Sequence, residues 1–315
     1  MDALADLFDA AQQWLFQALV QPALFGLGMG GLLEDGYAAT GWLLVGLLQI
    51  AAMLAVIAPL QRWRPVEPVV DRRTIRVDML YTFIHRLGLF RVALFLLLGP
   101  VFNALFGTLR VAGVHPIQID ALWPGVTDLP WASLLLYLLA FDFTGYWIHR
   151  GQHAWRWWWS LHALHHSQRQ VTMWSDNRNH LLDDVVRACI VVCVAQLIGV
   201  APGQFIAIVA FTQLSESLQH ANLRLWFGRV GERLWISPRF HRRHHGIAAG
   251  RAGCNFGVLL PWWDMLFGTA DFALRYEPTG VRDQVEPGPT GHPRDYGRGF
   301  WAQQWLGLRR LAGRG

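Results

Sequence analysis

The stretch Asp142–Ser167, DFTGYWIHRGQHAWRWWWSLHALHHS, holds five histidines: His149 and His153, then His162, His165 and His166. Residues three or four apart in a helix stack on one face, so each group directs several imidazoles toward one place. A further group, His241, His244 and His245 in SPRFHRRHHG, repeats the H-x-x-H-H pattern. Ten of the 13 histidines lie between His149 and His245, so the clustering is not a matter of overall abundance. Clustered imidazole is a ligand set for transition metals. One H-x-x-x-H pair is met as readily by capping and hydrogen bonding, but three such groups in one chain point to a metal site.

Composition puts that site beside a membrane. Hydrophobic residues make up 53% of the 315 residues and charged ones only 16%, against roughly 25% in soluble domains. Ala38–Leu60, AATGWLLVGLLQIAAMLAVIAPL, is uncharged throughout and long enough to cross a hydrocarbon core of about 30 Å. No Arg precedes it, whereas Arg62, Arg64, Arg72, Arg73 and Arg76 follow, which by the positive-inside rule places the N-terminus outside. Further spans are expected within Met79–Phe106 and at Trp131–Ile148, the latter delivering His149 to the cytoplasmic interface. Asp184–Val200 and Gly203–Gln219 read as a helical hairpin joined by GVAPGQ. With about five crossings every histidine group falls on one side. Trp14–Met29 lacks the basic start of a signal peptide and reads as an interfacial or re-entrant helix broken by Pro22 and the Gly run after it.

The expected fold is thus all-α: a polytopic membrane helical bundle of about five spans plus interfacial helices, with a cytoplasmic helical cap holding the polyhistidine site. Residues 1–130 form an N-terminal membrane region, 131–270 the histidine-bearing region, and 271–315 a cytoplasmic tail. That tail begins with a Pro/Gly-rich strap and closes on FWAQQWLGLRRLA, where Trp301, Trp305 and Leu308 share a face that either lies on the membrane or packs on the protein. The net charge of +5 comes from Arg alone, with no stripe or motif for nucleic acid. Cys189, Cys193 and Cys254 form no C-x-x-C pair and no disulfide framework.

Eight histidines in three groups exceed the needs of one zinc ion, which takes four ligands. They suit two metal ions. No cysteine cluster suggests iron–sulfur, and no H-E-x-x-H pair supports a zinc hydrolase. The remaining rival is a non-catalytic membrane protein that binds or transports metal, but transporters hold ligands near the bilayer midplane, whereas these sit at helix ends and in cytoplasmic segments.

The pattern resembles the fatty acid hydroxylase/sterol desaturase superfamily of integral-membrane non-haem di-iron oxygenases. It runs Tyr146-x-x-His149-Arg150-x-x-His153, then Trp159-x-x-His162-x-x-His165-His166-Ser167. Ser237-Pro238-x-x-His241-x-x-His244-His245-Gly246 follows, and then Asn255-Phe256-Gly257 with Trp263-Asp264-x-x-Phe267-Gly268-Thr269. The resemblance covers about residues 140–270. It implies two iron ions (Fe2+/Fe3+) held by His149, His153, His162, His165, His166, His241, His244 and His245. His220, in SLQHAN, is favoured as a further ligand; for His180, in NRNHLLDD, a ligand role and a supporting one are equally open.

The resemblance also implies O2 as co-substrate and hydroxylation or desaturation of a C–H bond in a lipid: a sterol, fatty acyl chain, carotenoid or membrane-lipid acyl group. With no flavin or nicotinamide fingerprint present, electrons are expected from a ferredoxin- or cytochrome-type carrier and its reductase. The expected location is a bacterial inner membrane, with the histidine site and C-terminus cytoplasmic. Asp142, Asp183, Asp184, Glu216 and Asp264 are candidates to hydrogen-bond ligands from behind. Trp155, Trp157, Trp158 and Phe240 are candidates to line a lipid path or to anchor at the interface. His85, His115 and His292 fall outside the pattern.

Overall fold

A computed structural model describes residues 2–249, 253–287 and 292–314. Among these residues the chain is helical, with one isolated β-bridge, Gly246 to Thr279, and no strand. Part of the expected tail strap, residues 288–291, lies outside the described residues.

The N-terminal helix does not stop at Pro22. Helix α1 (Asp2–Leu15) passes through a π-turn at Phe16–Val20 into α2 (Gln21–Gly26). The same device recurs where α3 (Leu33–Ala52) meets α4 (Ala58–Trp63) through a π-turn at Met53–Ile57, just before Pro59. Proline lacks an N–H and its ring collides with the carbonyl four residues back, so a widened turn lets the helix run on instead of breaking.

Among the described residues, three helices are long and apolar enough to cross a membrane: Gly30–Trp63, Leu89–Val111 and Pro130–Ala154. The first, at 34 residues, is about 50 Å long at 1.5 Å per residue, so one end must stand clear of a core of about 30 Å. Helix α6 (Leu89–Val111) is apolar along most of its length and buries only Phe106, as suits a lipid-facing span.

The expected span Met79–Phe106 is corrected by a break at Gly88, whose φ of 80° is open to glycine at little cost. Before it, α5 (Arg72–Arg86) buries a polar face of Asp78, Tyr81, Thr82 and Arg86. Asp78 pairs with Arg178 at 2.7 Å, and Arg86 with Asp176 at 2.7 Å. Arg86 also donates to Ser217 Oγ at 2.9 Å. Buried charges must be paired. These pairs draw α5 inward against the segment that follows the second histidine group.

Helix α7 (Pro130–Ala154) ends at Trp155, whose extended φ,ψ of −90°, 127° turns the chain into α8 (Arg156–His166). Helices α9 (Leu181–Ile198) and α10 (Pro202–Gln219) are joined by a turn at Gly199, φ 74°, and each packs against α7 rather than tightly on the other. A short α11 (Gly228–Gly231) precedes α12 (Pro238–His244) and α13 (Trp262–Leu266). The last helix, α14 (Phe300–Leu311), packs along α8, with Phe300 in the cluster of Leu164 and Leu306 against that of Ala163, and buries Gln303, Gln304 and Gly307. Its Trp301, Trp305 and Leu308 face is left exposed.

Helix α3 meets the end of α5 at Gly46, where a Cβ would stand 1.6 Å from the Arg86 carbonyl oxygen. Gly46→Ala is expected to cost about 1–3 kcal/mol by forcing the helices apart, read as a lowered thermal unfolding midpoint in detergent. An unchanged midpoint would show that the two helices do not meet there.

Candidate metal centre

The histidine groups converge from four places: His149 and His153 at the end of α7, three along α8, His220 capping α10, and His241, His244 and His245 on and just after α12. Ser237 caps α12, accepting from Phe240 N at 3.2 Å with Pro238 in the first turn, so this short helix begins at a fixed point.

Their ring nitrogens fall into two sets. His149, His153, His162, His166 and His244 form one, and His165, His220, His241 and His245 the other, each with its ligand atoms within 4.8 Å of one another. Neighbours in sequence go to different sets, His165 against His166 and His244 against His245, because successive helical residues point about 100° apart. The second histidine group therefore gives two rings to the first set and one to the second; the third group does the reverse. The sets adjoin, with the His166 and His245 rings 4.4 Å apart.

In four of the rings, which nitrogen faces inward is fixed from behind. The Nδ1 of His149 lies 3.0 Å from the Phe256 carbonyl, that of His244 2.7 Å from the Cys254 carbonyl, and that of His220 2.7 Å from the Glu216 carbonyl. A carbonyl only accepts, so each Nδ1 carries the proton and each Nε2 keeps its lone pair. Asp183 does the same for His162, with Oδ2 3.1 Å from Nδ1.

The inward nitrogens fit a metal. Nε2 of His162 and of His244 are buried without a hydrogen-bond partner, a costly state unless a cation occupies the space between them. Nε2 atoms meet at 3.1 Å between His153 and His166, 3.2 Å between His165 and His220, 3.0 Å between His220 and His241, and 3.2 Å between His241 and His245. A metal–nitrogen bond of about 2.1 Å puts neighbouring ligands about 3 Å apart, which is the spacing found.

Burial, and then neighbouring imidazoles, hold His165, His166, His241 and His245 well below the usual imidazole range. Burial lowers His220 likewise and brings His244 down to about 3. These rings are neutral at physiological pH, the form that binds metal.

Of the ten histidines expected at the site, the structure gathers nine, His220 among them. His180 is the exception. Its Nε2 lies 2.8 Å from the Gln304 carbonyl, and its Nδ1 accepts from Leu182 N at 3.1 Å, so it caps α9 and ties down α14 with no nitrogen left over.

The carboxylates also separate. Asp183 alone touches a clustered ring; Asp184 lies by His85 at 3.3 Å, and Glu216 serves through its backbone. Asp142 accepts from Leu259 N and Trp263 Nε1, and Asp264 from Phe256 N and Gly257 N. Together they hold the loop whose carbonyls receive His149 and His244. Those carbonyls escape sequence reasoning, though Asn255-Phe256-Gly257 marks them: Asn255 sits at φ 58° and ties the loop to Phe240 and Asp271.

Residues 134–269 match the fatty acid hydroxylase family. An ornithine lipid hydroxylase from Rhizobium tropici is 26% identical over 75% of this chain and 70% of its own length. An alkylglycerol monooxygenase from Danio rerio is 30% identical over 45% of the chain and 32% of its own length. A methylsterol monooxygenase from Arabidopsis thaliana is 24% identical over 54% and 60%. The chain thus spans most of the first relative and only about a third of the alkylglycerol monooxygenases. No solved structure matches. The histidine boxes, the two ring sets and the match over residues 134–269 agree, and that stretch of the chain is similar to the fatty acid hydroxylase family.

Proposed function

We propose that the protein is an integral-membrane, O2-dependent di-iron oxidoreductase that hydroxylates or desaturates a C–H bond of a membrane lipid. The observation that carries this is the pair of adjoining all-nitrogen ring sets at the end of a candidate span. Such sets suit iron, copper or zinc rather than calcium or magnesium. The histidines His149, His153, His162, His166 and His244 would hold one ion, and His165, His220, His241 and His245 the other. The lipid named for each relative supports a lipid substrate here.

When bound, the iron pair supplies O2 reduction and the oxidising power that breaks an unactivated C–H bond. The chain's own groups do the rest. Asp183 and the Phe256, Cys254 and Glu216 carbonyls keep Nε2 lone pairs facing inward. Burial of the rings excludes water from a reactive centre. Whether the outcome is an alcohol or an alkene depends on how closely the substrate carbon is placed. Hydroxylation consumes O2, two protons and two electrons and releases water, so a ferredoxin- or cytochrome-type carrier with its reductase must supply the electrons.

The Arg distribution supports an external N-terminus and a cytoplasmic site in a bacterial inner membrane, with α9 and α10 dipping in to complete about five crossings. Residues 1–130 and 271–315 would flank the catalytic region 131–270 as membrane anchor and cytoplasmic tail.

Lipid extracts from cells grown under 18O2, with and without the gene, test this reading. A gene-dependent lipid carrying labelled hydroxyl is expected, with iron near two per chain in purified protein. Iron binding with no oxidised lipid of any kind would favour the non-catalytic alternative. His244→Ala should abolish both the label and part of the iron. Asp183→Asn should weaken metal affinity or activity by about 10- to 100-fold.

The pH dependence follows from the depressed histidines. Their folded pKa values lie below the unfolded value of about 6.5, so between about 3 and 6.5 the unfolded chain binds protons that the folded chain refuses. Chelator-treated protein should therefore lose thermal stability steadily as pH falls below about 6.5 and show no histidine contribution above it. A flat profile down to pH 4 would contradict the buried, neutral state of these rings.

A further inference from the structure

Three indoles lead from the surface to the metal centre. Trp155 and Trp157 are 55% and 46% exposed, whereas Trp158 is 2% exposed. All three lie nearly parallel: Trp157 stacks on Trp158 with centroids 5.2 Å apart and planes 5° from parallel, and Trp155 on Trp158 at 5.7 Å and 14°. Beneath them, Trp158 Nε1 donates to Asp183 Oδ1 at 2.6 Å, Asp183 Oδ2 meets His162 Nδ1 at 3.1 Å, and His162 Nε2 points into the five-ring set.

We propose that Trp155, Trp157, Trp158 and Asp183 form the path by which reducing electrons reach the metal centre from a one-electron carrier protein at the surface. The proposal rests on the redox reading given above. In each transfer the reduced carrier loses one electron and one ferric ion becomes ferrous; two transfers supply what one hydroxylation consumes. The indoles bridge the transfer without changing oxidation state themselves, since close π contact and short hydrogen bonds lower the tunnelling barrier relative to a gap of solvent or loosely packed side chains.

Other roles explain less. Interface anchoring accounts for exposed tryptophans at the end of a span, but not for their coplanar stacking on a buried third ring. Core packing accounts for a buried ring at position 158, but any apolar side chain would serve. The bond from Trp158 to the carboxylate that holds His162 needs an N–H donor that a purely apolar side chain lacks. Asp183 has both oxygens committed along this line, with Gln152 Nε2 added at 2.7 Å. Arg156, exposed and between the two surface indoles in sequence, adds positive charge to this surface, suited to an acidic carrier. Trp159 touches the cluster more directly, at 4.9 Å from His153 and 5.4 Å from His166, but it packs against the core formed by Ala163, Val281 and Tyr296.

The test uses full-length, iron-loaded protein in lipid nanodiscs, mixed in a stopped-flow instrument with reduced [2Fe–2S] ferredoxin as the probe. Conversion of ferric to ferrous iron is followed by freeze-quench Mössbauer spectroscopy of protein loaded with the Mössbauer-active iron isotope, and iron content is measured separately. Trp158→Phe keeps an apolar ring and removes the Nε1–H; the double substitution Trp155→Ala/Trp157→Ala disturbs only the exposed end and covers the case in which the buried variant fails to fold. Both should slow reduction by the carrier about tenfold or more, equivalent to about 1.4 kcal/mol in the activation barrier, with iron content unchanged. Rates within twofold of wild type in a reducible centre would overturn the path alone, as would slowing by Trp159→Phe in place of these variants. A wild-type centre that no reductant reduces would overturn the redox reading itself, and the path with it.

Discussion

Nine imidazole rings crowded into a dry interior are unstable on their own terms. Several of their inward nitrogens meet at hydrogen-bond distance with too few protons to go round, and two more have no partner at all. A buried polar atom without a partner costs roughly 1–3 kcal/mol, so a cluster of them constrains everything that surrounds it. A cation between the rings removes that cost, and folding and metal binding then become parts of one equilibrium.

The rest of the molecule can be understood as the apparatus that holds the rings still. Helices α7 and α8 meet at a sharp turn at Trp155, which folds His149 and His153 back over His162 and His166. A loop of irregular backbone, fixed by Asn255, Asp142 and Asp264, presents two carbonyls to the backs of His149 and His244. Irregular backbone beside a membrane is tolerable only where its own polar groups are satisfied within the protein. Here two of its carbonyls are satisfied by setting the tautomers of the rings.

Much of this was legible in the sequence, because the relevant distances are short along the chain. Helical spacing gathers His162, His165 and His166 on one element, and an uncharged run such as Ala38–Leu60 announces a span by length alone. What the sequence hid depends on partners far away. His180 looks like one more ligand until Gln304, 124 residues on, claims its Nε2. The segment Met79–Phe106 looks continuous until Asp78 and Arg86 find Arg178 and Asp176. Pro22 looks like a stop, yet a π-turn absorbs it. In each case a local preference was outweighed by burial of a polar group or by a small change in helix pitch, neither of which has a signature in a short window of residues.

The diversion of His180 ties the tail to the metal helix. Gln304 accepts from Leu181 N at 2.8 Å and donates to Tyr81 Oη and the Asn179 carbonyl, each at 3.0 Å, so one side chain links α14 to α9 and α5. Gly307 completes the fit, since a Cβ there would stand 2.2 Å from His180 Cδ2. Helix α8, carrying three of the nine rings, is therefore clamped along its length by α14 and steadied through Asp183 by α9. A helix of 11 residues is marginal in water by itself. Its rings can hold fixed positions only because α14 and α9 grip it from outside the cluster, and His180 contributes to the site as part of that grip.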